Sequence, residues 1–376
     1  MNKYLQILIL LVVVYGCGNP SSKESKAQVE EVETLTKAQY ELIFDKVKAL
    51  PNQAEVAIAI IENGKVNFVG VKRQQDSTVF IQNQDRVFEI GSITKVFTGT
   101  LLANYLVEEE VNLEDQIDVY LNYSLKDDVK ITLKQLATHT SGLPRVPASL
   151  EALSLDNPYQ DFGEKELKTY LTQELIMMHK PGEVSDYSNL GVGMLGYVLS
   201  NKAQMTYEEM LQKEIFSKYG MNTSTTLRSQ VEDKLVKGLN DEGKEVSNWD
   251  MAVLMGAGGI LSSVNDLSKF ALAQFDSSNQ ALVLSRTAFF KVSESYSMAL
   301  GWSVIQTESG EEWNWHNGGT GGYTSSIIID VKAKNGVVIL SNVSGVEELT
   351  NNITSLSPEL MNTIGKEELS GLNKGK

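Results

Sequence analysis

The sequence has a single cysteine, Cys17, and few positive charges for its size. One cysteine cannot form an internal disulfide, so the folded protein must be held together by packing alone. The 376 residues include 33 Lys and Arg against 48 Asp and Glu, a net charge of −15. This balance repels polyanions, so no nucleic-acid partner is expected. The composition is otherwise globular, with 42% hydrophobic and 22% charged residues, enough to bury a sizeable core.

The apolar run near the N terminus is too short to span a membrane. It extends from Leu5 to Tyr15, about 11 residues interrupted at Gln6, whereas a spanning helix needs roughly 20. The run is typical of the hydrophobic region of a secretory signal. The letters VYGC, which end at Cys17, resemble the cleavage box of bacterial lipoproteins, whose cysteine is lipidated and becomes the mature N terminus.

These features predict a division of the chain. Residues 1–16 are predicted to be a lipoprotein signal peptide and 17–35 a polar, flexible tether. The folded domain is predicted at 36–366, followed by a polar tail at 367–376. A lipid on Cys17 predicts a membrane anchor in the bacterial cell envelope, facing the periplasm or the surface.

The order of strand and helix patterns predicts the fold class. Two β-branched runs in "AEVAIAIIENGKVNFVGVKR" are joined at Asn63-Gly64, a strong hairpin signal. Helical patterns dominate from Ser92 to about Leu282, with a helical insertion at about 110–285. Strand patterns return in "MALGWSVIQ", "TSSIIIDV" and "NGVVILSNV" before a final helix. The prediction is an α/β (α+β) fold: an antiparallel sheet from both ends of the chain, flanked by helices, with a mainly helical insertion.

Ser92 and Lys95 lie three residues apart in "FEIGSITKVFTGTLL", at the start of a run predicted to be an amphipathic helix. On a helix they share one face, which places an amine beside a hydroxyl. A partly desolvated lysine can take the serine proton, and N–H groups at a helix start can stabilise an oxyanion. Gly91 would let the backbone enter this turn. By itself the pattern is weak, because about one Ser-x-x-Lys is expected by chance in such a chain.

Tyr187 and Asn189 stand directly before a glycine-rich apolar helix in "KPGEVSDYSNLGVGMLGYVL". A phenol and a carboxamide two residues apart on a turn can point into one cleft, the first as a proton carrier and the second as a clamp on an amide. Tyr-x-Asn also occurs at Tyr120. The Pro-Gly turn before Tyr187 and the helix after it favour Tyr187.

The glycine-rich stretch "WHNGGTGGY", residues 315–323, invites a nucleotide-binding interpretation. A phosphate-binding loop would run from a strand into a helix and carry a Lys-Ser/Thr pair, or open a helix with G-x-G-x-x-G. Here the glycines run into the strand pattern "TSSIIID" instead. The stretch therefore indicates the wall of another kind of active site.

Taken together, the motifs resemble those of the class C β-lactamase and DD-peptidase family of serine hydrolases, which includes penicillin-binding-protein-like enzymes. "SITK", "YSN" and "HNG" occur in the family's order, and "ITLKQLATHTSGLP", "GAGGILSSVNDLSKF" and "MALGWSV" look like its recurrent segments. The resemblance covers about residues 40 to 345. It implies the serine β-lactamase/DD-peptidase fold and an acyl-enzyme mechanism that needs no metal or organic cofactor.

The resemblance also implies residue roles. Ser92 would be the acylated nucleophile, and Lys95 and Tyr187 would share the acid/base work, with the base left open between them. Asn189 would hold a substrate amide or orient Lys95. His139 is interpreted as a loop-holding residue rather than a base.

The third motif bears on the substrate. Gly318 would leave room for substrate along the strand, and the N–H groups of Ser92 and Gly319 would form the oxyanion hole. His316 stands where many β-lactamases carry lysine, so a permanent positive charge is missing there, but the histidine retains a donor that can become cationic near neutral pH. The histidine form favours a small-molecule or peptide substrate of an amidase, peptidase or esterase. A true β-lactamase and a catalytically silent relative that binds cell-wall peptides remain alternatives.

Overall fold

The computed structural model describes residues 35–151, 156–345 and 350–365. Cys17, the predicted signal peptide, most of the predicted tether and the predicted tail lie outside the described residues. Within these ranges, no helix has both the length and the apolar character needed to cross a membrane.

The described chain contains the following helices and strands. The α-helices are α1 (Lys37–Lys48), α2 (Thr94–Val107), α3 (Leu133–Ala137), α4 (Ala148–Glu151), α5 (Glu164–Thr169), α6 (Asn189–Ala203), α7 (Tyr207–Leu211), α8 (Ser217–Tyr219), α9 (Met255–Gly258), α10 (Val264–Ala273), α11 (Gln280–Arg286) and α12 (Thr350–Met361). The strands are β1 (Glu55–Glu62), β2 (Lys65–Gln74), β3 (Ser77–Phe80), β4 (Phe88–Glu89), β5 (Leu261–Ser262), β6 (Phe290–Lys291), β7 (Tyr296–Met298), β8 (Ser303–Gln306), β9 (Glu312–Gly319), β10 (Thr324–Asp330) and β11 (Asn335–Ser341).

The main sheet has nine antiparallel strands in the order β3-β2-β1-β11-β10-β9-β8-β7-β6. The two ends of the chain meet where β1 pairs with β11, which confirms the predicted fold class. The predicted hairpin joins β1 to β2, and Asn63 and Gly64 both have positive φ, 50° and 76°, as a type I′ turn requires.

A second sheet interrupts the region predicted as helical. Its two strands, β4 and β5, are two residues long and pair Phe88 with Ser262 and Glu89 with Leu261. Strands this short leave no readable alternation in the sequence, which is why the periodicity did not predict them. They matter because β4 leads directly into the turn that carries Ser92.

Both faces of the main sheet are covered, so β1 is apolar on both sides. Ile58 and Ile60 pack with α1 and α12, whereas Ala59 and Ile61 join the larger core on the side of the other helices. Helix α2 lies inside that larger core and is buried from Thr94 to Tyr105. The prediction that this helix is amphipathic is therefore wrong, because it has protein on all sides.

Candidate active site

The turn that presents Ser92 is packed against the end of β9. It is a 3₁₀ turn, Gly91–Ile93, that runs into α2, and Gly91 has a φ of +49°. A β-carbon on Gly91 would lie 2.8 Å from the Gly319 nitrogen, and one on Gly318 would lie 2.8 Å from the Ser92 nitrogen. Only glycines allow the turn and the strand to approach this closely.

Lys95 is fully buried one turn into the helical segment, directly behind Ser92. Its Nζ lies 2.9 Å from Ser92 Oγ, 2.8 Å from Asn189 Oδ1 and 2.7 Å from the Ala257 carbonyl oxygen. Burial, assisted by the positive charge of Arg145, lowers the pKa of Lys95 well below its usual value. A neutral amine has two N–H groups, which suit the two carbonyl oxygens, and a lone pair, which then faces the serine hydroxyl.

Tyr187 closes the other side of the nucleophile. It precedes Ser188, whose side chain accepts a hydrogen bond from Gly191 N–H and so caps α6. Burial raises the pKa of Tyr187 to about 12, although its hydrogen bond with Ser92 opposes that rise. Its ring centroid is 4.9 Å from Lys95 Nζ. At neutral pH Tyr187 is therefore a neutral phenol beside the serine hydroxyl.

His139 holds the loop that carries Tyr187, as predicted. Its Nδ1 accepts a hydrogen bond from the Ser188 N–H at 3.1 Å, and its carbonyl accepts one from the Asp186 N–H at 2.8 Å. The imidazole also packs against the Tyr187 ring, with centroids 4.4 Å apart and the ring planes tilted by 31°. Burial lowers the pKa of His139 well below its usual value, so the ring is neutral. The Asp186 carboxylate faces His179 at 3.4 Å and is half exposed.

Tyr120, the alternative Tyr-x-Asn tyrosine, has a different partner. Its hydroxyl donates a hydrogen bond to Asp115 Oδ2 at 2.6 Å. The structure therefore brings Tyr187, and not Tyr120, to Ser92.

Gly318 has a role different from the predicted one. A β-carbon there would lie 2.2 Å from the Ile90 carbonyl oxygen and 2.5 Å from Ser325 Oγ, both inside the protein. The absent side chain therefore makes room for the turn before Ser92 rather than for substrate. The adjoining Gly319 lies against Gly91, the residue before Ser92, and both Ser92 and Gly319 line the same cleft, so the structure brings the predicted oxyanion pair into one site.

His316 lies behind the cleft on β9 and is 5% exposed. Its Nδ1 lies 2.6 Å from the Asn317 carbonyl oxygen, so Nδ1 carries the proton. Burial, with the Lys95 amine nearby, lowers the pKa of His316 to about 3. The prediction that His316 can become cationic near neutral pH is therefore wrong, because the ring is buried in β9, and the depth of burial could not be read from the sequence.

These groups converge on a cleft of about 430 Å³. Its described lining consists of Ser92, Arg145, Tyr159, Tyr187, Asn189, Trp249, Asn317, Gly318, Gly319 and Gly345. Among the described residues, no group of three or more His, Cys, Asp or Glu side chains is placed to hold a metal ion.

Three large side chains of the cleft were not predicted from the sequence: Arg145, Tyr159 and Trp249. Arg145 directly follows the segment "THTSGLP", and this position beside a recognised segment could have predicted that it lies near the site. Tyr159 and Trp249 come from loops without periodicity, and only the fold brings their rings to 5.5 Å. The Tyr159 hydroxyl in turn accepts a hydrogen bond from Asn189 Nδ2 at 3.3 Å.

A buried carboxylate, Glu89, fixes the loop that carries Trp249. Its Oε1 accepts hydrogen bonds from Asn248 Nδ2 at 2.7 Å and from the Trp249 N–H at 3.0 Å. Burial raises the pKa of Glu89. Since Glu89 ends β4, just before the nucleophile turn, one short strand positions both Ser92 and the opposite rim of the cleft.

Fold and site together define the class of serine β-lactamases and DD-peptidases. The structure superposes on the β-lactamase/D-alanine carboxypeptidase of Pseudomonas syringae with a TM-score of 0.72, over 91% of this chain and all of that one, at 21% identity. For the octameric penicillin-binding protein homologue of Pyrococcus abyssi the TM-score is 0.67 at 25% identity, over 87% of this chain and 74% of that one.

The chain belongs to the Beta-lactamase family, whose model matches residues 44–355. It is 26% identical over 318 residues to beta-lactamase-like protein 4 of Dictyostelium discoideum and 24% identical over 326 residues to protein flp of Staphylococcus aureus strain MW2. These matches cover 78% and 81% of this chain but 51% and 63% of those proteins, so the chain spans between half and two thirds of their length. A β-lactamase of Pseudomonas fluorescens is 25% identical over 278 residues, 70% of this chain and 74% of that protein.

Proposed function

We propose that this protein is a serine hydrolase that forms an acyl-enzyme on Ser92. The observation that carries the proposal is the buried amine of Lys95, 2.9 Å from Ser92 Oγ, with the carbonyl oxygens of Asn189 and Ala257 as its other partners. Burial lowers the pKa of Lys95 well below its usual value and so favours the free amine that a base requires, whereas Tyr187, with a pKa of about 12, keeps its proton. Lys95 is therefore assigned as the base.

Each step then has a named group. Ser92 Oγ bonds to the substrate carbonyl carbon as its proton moves to Lys95 Nζ, and the oxyanion is held by the N–H groups of Ser92 and Gly319. When the intermediate collapses, the bond to the leaving group breaks. The leaving group takes a proton from the Tyr187 hydroxyl, and Lys95 returns a proton to Tyr187. Water then takes the place of the leaving group. As it attacks the acyl carbon it gives a proton to Tyr187, Tyr187 passes one to Lys95, and Lys95 returns one to Ser92 Oγ as the acid is released.

The substrate we propose is an amide or ester of a small molecule or peptide, turned over by a peptidase, amidase or esterase activity. The neutral, buried His316 supports this choice, because β9 then offers no fixed cation to the carboxylate of a β-lactam at the position where many β-lactamases carry lysine. The silent-relative alternative is disfavoured, because Ser92, Lys95 and Tyr187 are all present and in contact.

We also propose that the protein is secreted and anchored by a lipid on Cys17 in the bacterial cell envelope. The proposal rests on the apolar run before VYGC and on the polar residues after it. It would place the cleft within reach of cell-wall and extracellular substrates.

Turnover of three substrates by wild type and Ser92→Ala tests the proposed activity. The substrates are nitrocefin, a peptide ending in D-Ala-D-Ala and a short p-nitrophenyl ester. We expect the ester or the peptide to be hydrolysed, nitrocefin slowly or not at all, and every activity to be lost in Ser92→Ala. Fast nitrocefin hydrolysis with neither other substrate consumed would contradict the substrate choice, and equal turnover by Ser92→Ala would contradict the mechanism.

A further inference from the structure

The cleft carries one exposed cation, Arg145, that has no part in the proposed reaction steps. Arg145 lies on the loop between α3 and α4, and its guanidinium carbon is 5.0 Å from the Tyr187 ring centroid. Lys95 Nζ approaches the same ring within 4.9 Å, so the guanidinium is close to the reacting groups. Among the described lining residues, Arg145 alone has a formal charge.

Three of the four other described arginines have polar side-chain partners, whereas Arg145 has none. Arg228 pairs with Asp250, Arg73 donates to the Ser77 carbonyl and Arg86 to the Lys234 carbonyl. Over the described ranges, the Arg145 side chain has no hydrogen bond to another residue and no carboxylate within 4.0 Å. Its five N–H donors are therefore available in the cleft of a protein whose net charge is −15.

A guanidinium matches a carboxylate with two parallel hydrogen bonds, and it keeps its charge throughout the pH range of the reaction. The opposite wall lacks a cation, since His316 is neutral and buried in β9. A substrate anion that enters the cleft therefore meets one fixed positive charge on the surface that Ser92 also lines.

We propose that Arg145 is a specificity residue that binds a carboxylate of the substrate, so that the preferred esters or amides are anionic. The inference deepens the proposed function and rests on acylation at Ser92. The carboxylate can belong to the acyl group or to the leaving group, and substrates of matched length distinguish the two positions.

The test compares three esters: neutral p-nitrophenyl hexanoate, mono-p-nitrophenyl adipate with a carboxylate on the acyl group, and 4-carboxyphenyl hexanoate with a carboxylate on the leaving group. For each protein, kcat/KM of an anionic ester is divided by kcat/KM of the neutral ester. The adipate ratio cancels effects of Arg145 on Lys95 and Tyr187, because the two p-nitrophenyl esters use the same groups and release the same leaving group. In Arg145→Met at least one ratio should fall about tenfold or more, as expected for loss of a charge-assisted pair.

Two variants serve as controls. Arg145→Lys retains the charge and should recover part of the ratio, whereas Arg73→Met makes the same chemical change on β2 and should leave both ratios at the wild-type value. A fall in the adipate ratio assigns the carboxylate to the acyl group, and a fall in the carboxyphenyl ratio assigns it to the leaving group. Unchanged ratios in Arg145→Met overturn the proposal and leave the serine hydrolase intact.

A binding measurement separates failure of this inference from failure of the proposed function. Titration of Ser92→Ala with monomethyl adipate and with methyl hexanoate, followed by tryptophan fluorescence or calorimetry, requires no turnover. The double variant Ser92→Ala/Arg145→Met should bind the anion about tenfold more weakly and the neutral ester with little change. Equal affinity for the anion in both proteins would overturn the carboxylate site, even if Ser92 proved not to be a nucleophile.

Discussion

Burial shifts the pKa values of two residues beside Ser92, Lys95 and Tyr187, in opposite directions. Burial disfavours the charged form of each, so the Lys95 pKa is lowered and the Tyr187 pKa is raised. The result is a neutral amine and a neutral phenol at the same hydroxyl, one suited to accept a proton and the other to donate one. The sequence named both residues but left the base open, because burial cannot be read from a three-residue spacing.

Substitutions should separate these two roles. Lys95→Met should remove the base and lower kcat/KM by roughly 10⁴-fold, together with the ascending limb of the pH–rate profile. Tyr187→Phe should lower kcat/KM by about 10²–10⁴-fold but keep that limb, since the limb belongs to Lys95 and lies well below pH 10.5. Tyr120→Phe is the matched control and should leave kcat/KM within about twofold. A limb lost in Tyr187→Phe and kept in Lys95→Met would reverse the assignment.

His316 should make the fold sensitive to acid. The unfolded histidine has a pKa near 6.5, whereas the folded one has a pKa of about 3. Below pH 6.5 the unfolded chain takes up a proton that the folded chain does not, so the free energy of unfolding falls as the pH falls. The slope is about 1.4 kcal/mol per pH unit until the folded pKa is reached.

Urea unfolding between pH 7 and pH 4.5 measures this effect. His316→Asn should reduce the pH dependence, although it lowers stability at pH 7 by removing the hydrogen bond to the Asn317 carbonyl. His179→Asn makes the same change at a histidine whose side chain is 38% exposed and serves as the matched control. His139 contributes in the same direction in every variant, so the loss of slope in His316→Asn is partial. An unchanged slope in His316→Asn would refute the buried, neutral ring.

At the scale of elements, the site depends on backbone contacts that only glycines permit. The turn before α2 touches β9 through Gly91 and Gly318, and the first turn of α2 touches the loop before β8 through Gly301. In the sequence, these glycines lie in or next to the segments "SITK", "HNG" and "MALGWSV". The sequence did not show what each one touches, because the partners are distant in the chain and are brought together by the sheet.

Gly301→Ala should displace the helix that carries the nucleophile and the base. A β-carbon there would lie 2.2 Å from the Lys95 carbonyl oxygen, and Gly301 has a φ of +80°. We expect a loss of about 3 kcal/mol or more in unfolding free energy and a loss of activity. Gly64→Ala has a similar φ, +76°, but nothing within 4 Å of its β-carbon, so it should cost about 1 kcal/mol and retain activity. Equal losses in urea unfolding would contradict the contact.

At the scale of the whole molecule, the sheet is built from both ends of the chain, and the nucleophile lies where the helical side meets its middle strands. The order of strand and helix patterns along the sequence, with the hairpin at Asn63-Gly64, was sufficient to predict this architecture. Long β-branched runs are typical of strands. The cleft was predicted only in part. Arg145, Tyr159 and Trp249 come from loops, whose positions follow from tertiary packing and leave no periodic signal.

The proposed anchor is a property of the whole protein and is tested at Cys17. In a bacterial host, wild type should incorporate labelled palmitate and sediment with membranes. Cys17→Ser should incorporate none and appear in the soluble extracellular or periplasmic fraction, with the same kcat/KM on a p-nitrophenyl ester, because the cleft lies within the described fold. Equal palmitate incorporation by the two proteins would contradict lipidation at this residue.

The central claim is that Ser92 becomes acylated with Lys95 as its base. The most direct measurement is incubation with a fluorophosphonate or a fluorescent penicillin, followed by digestion and mass mapping of the adduct. We predict one adduct, on the peptide that contains Ser92, which is absent in Ser92→Ala and forms much more slowly in folded Lys95→Met. No adduct on Ser92 under conditions that label a control serine hydrolase, or an adduct that persists in Ser92→Ala, would contradict the account.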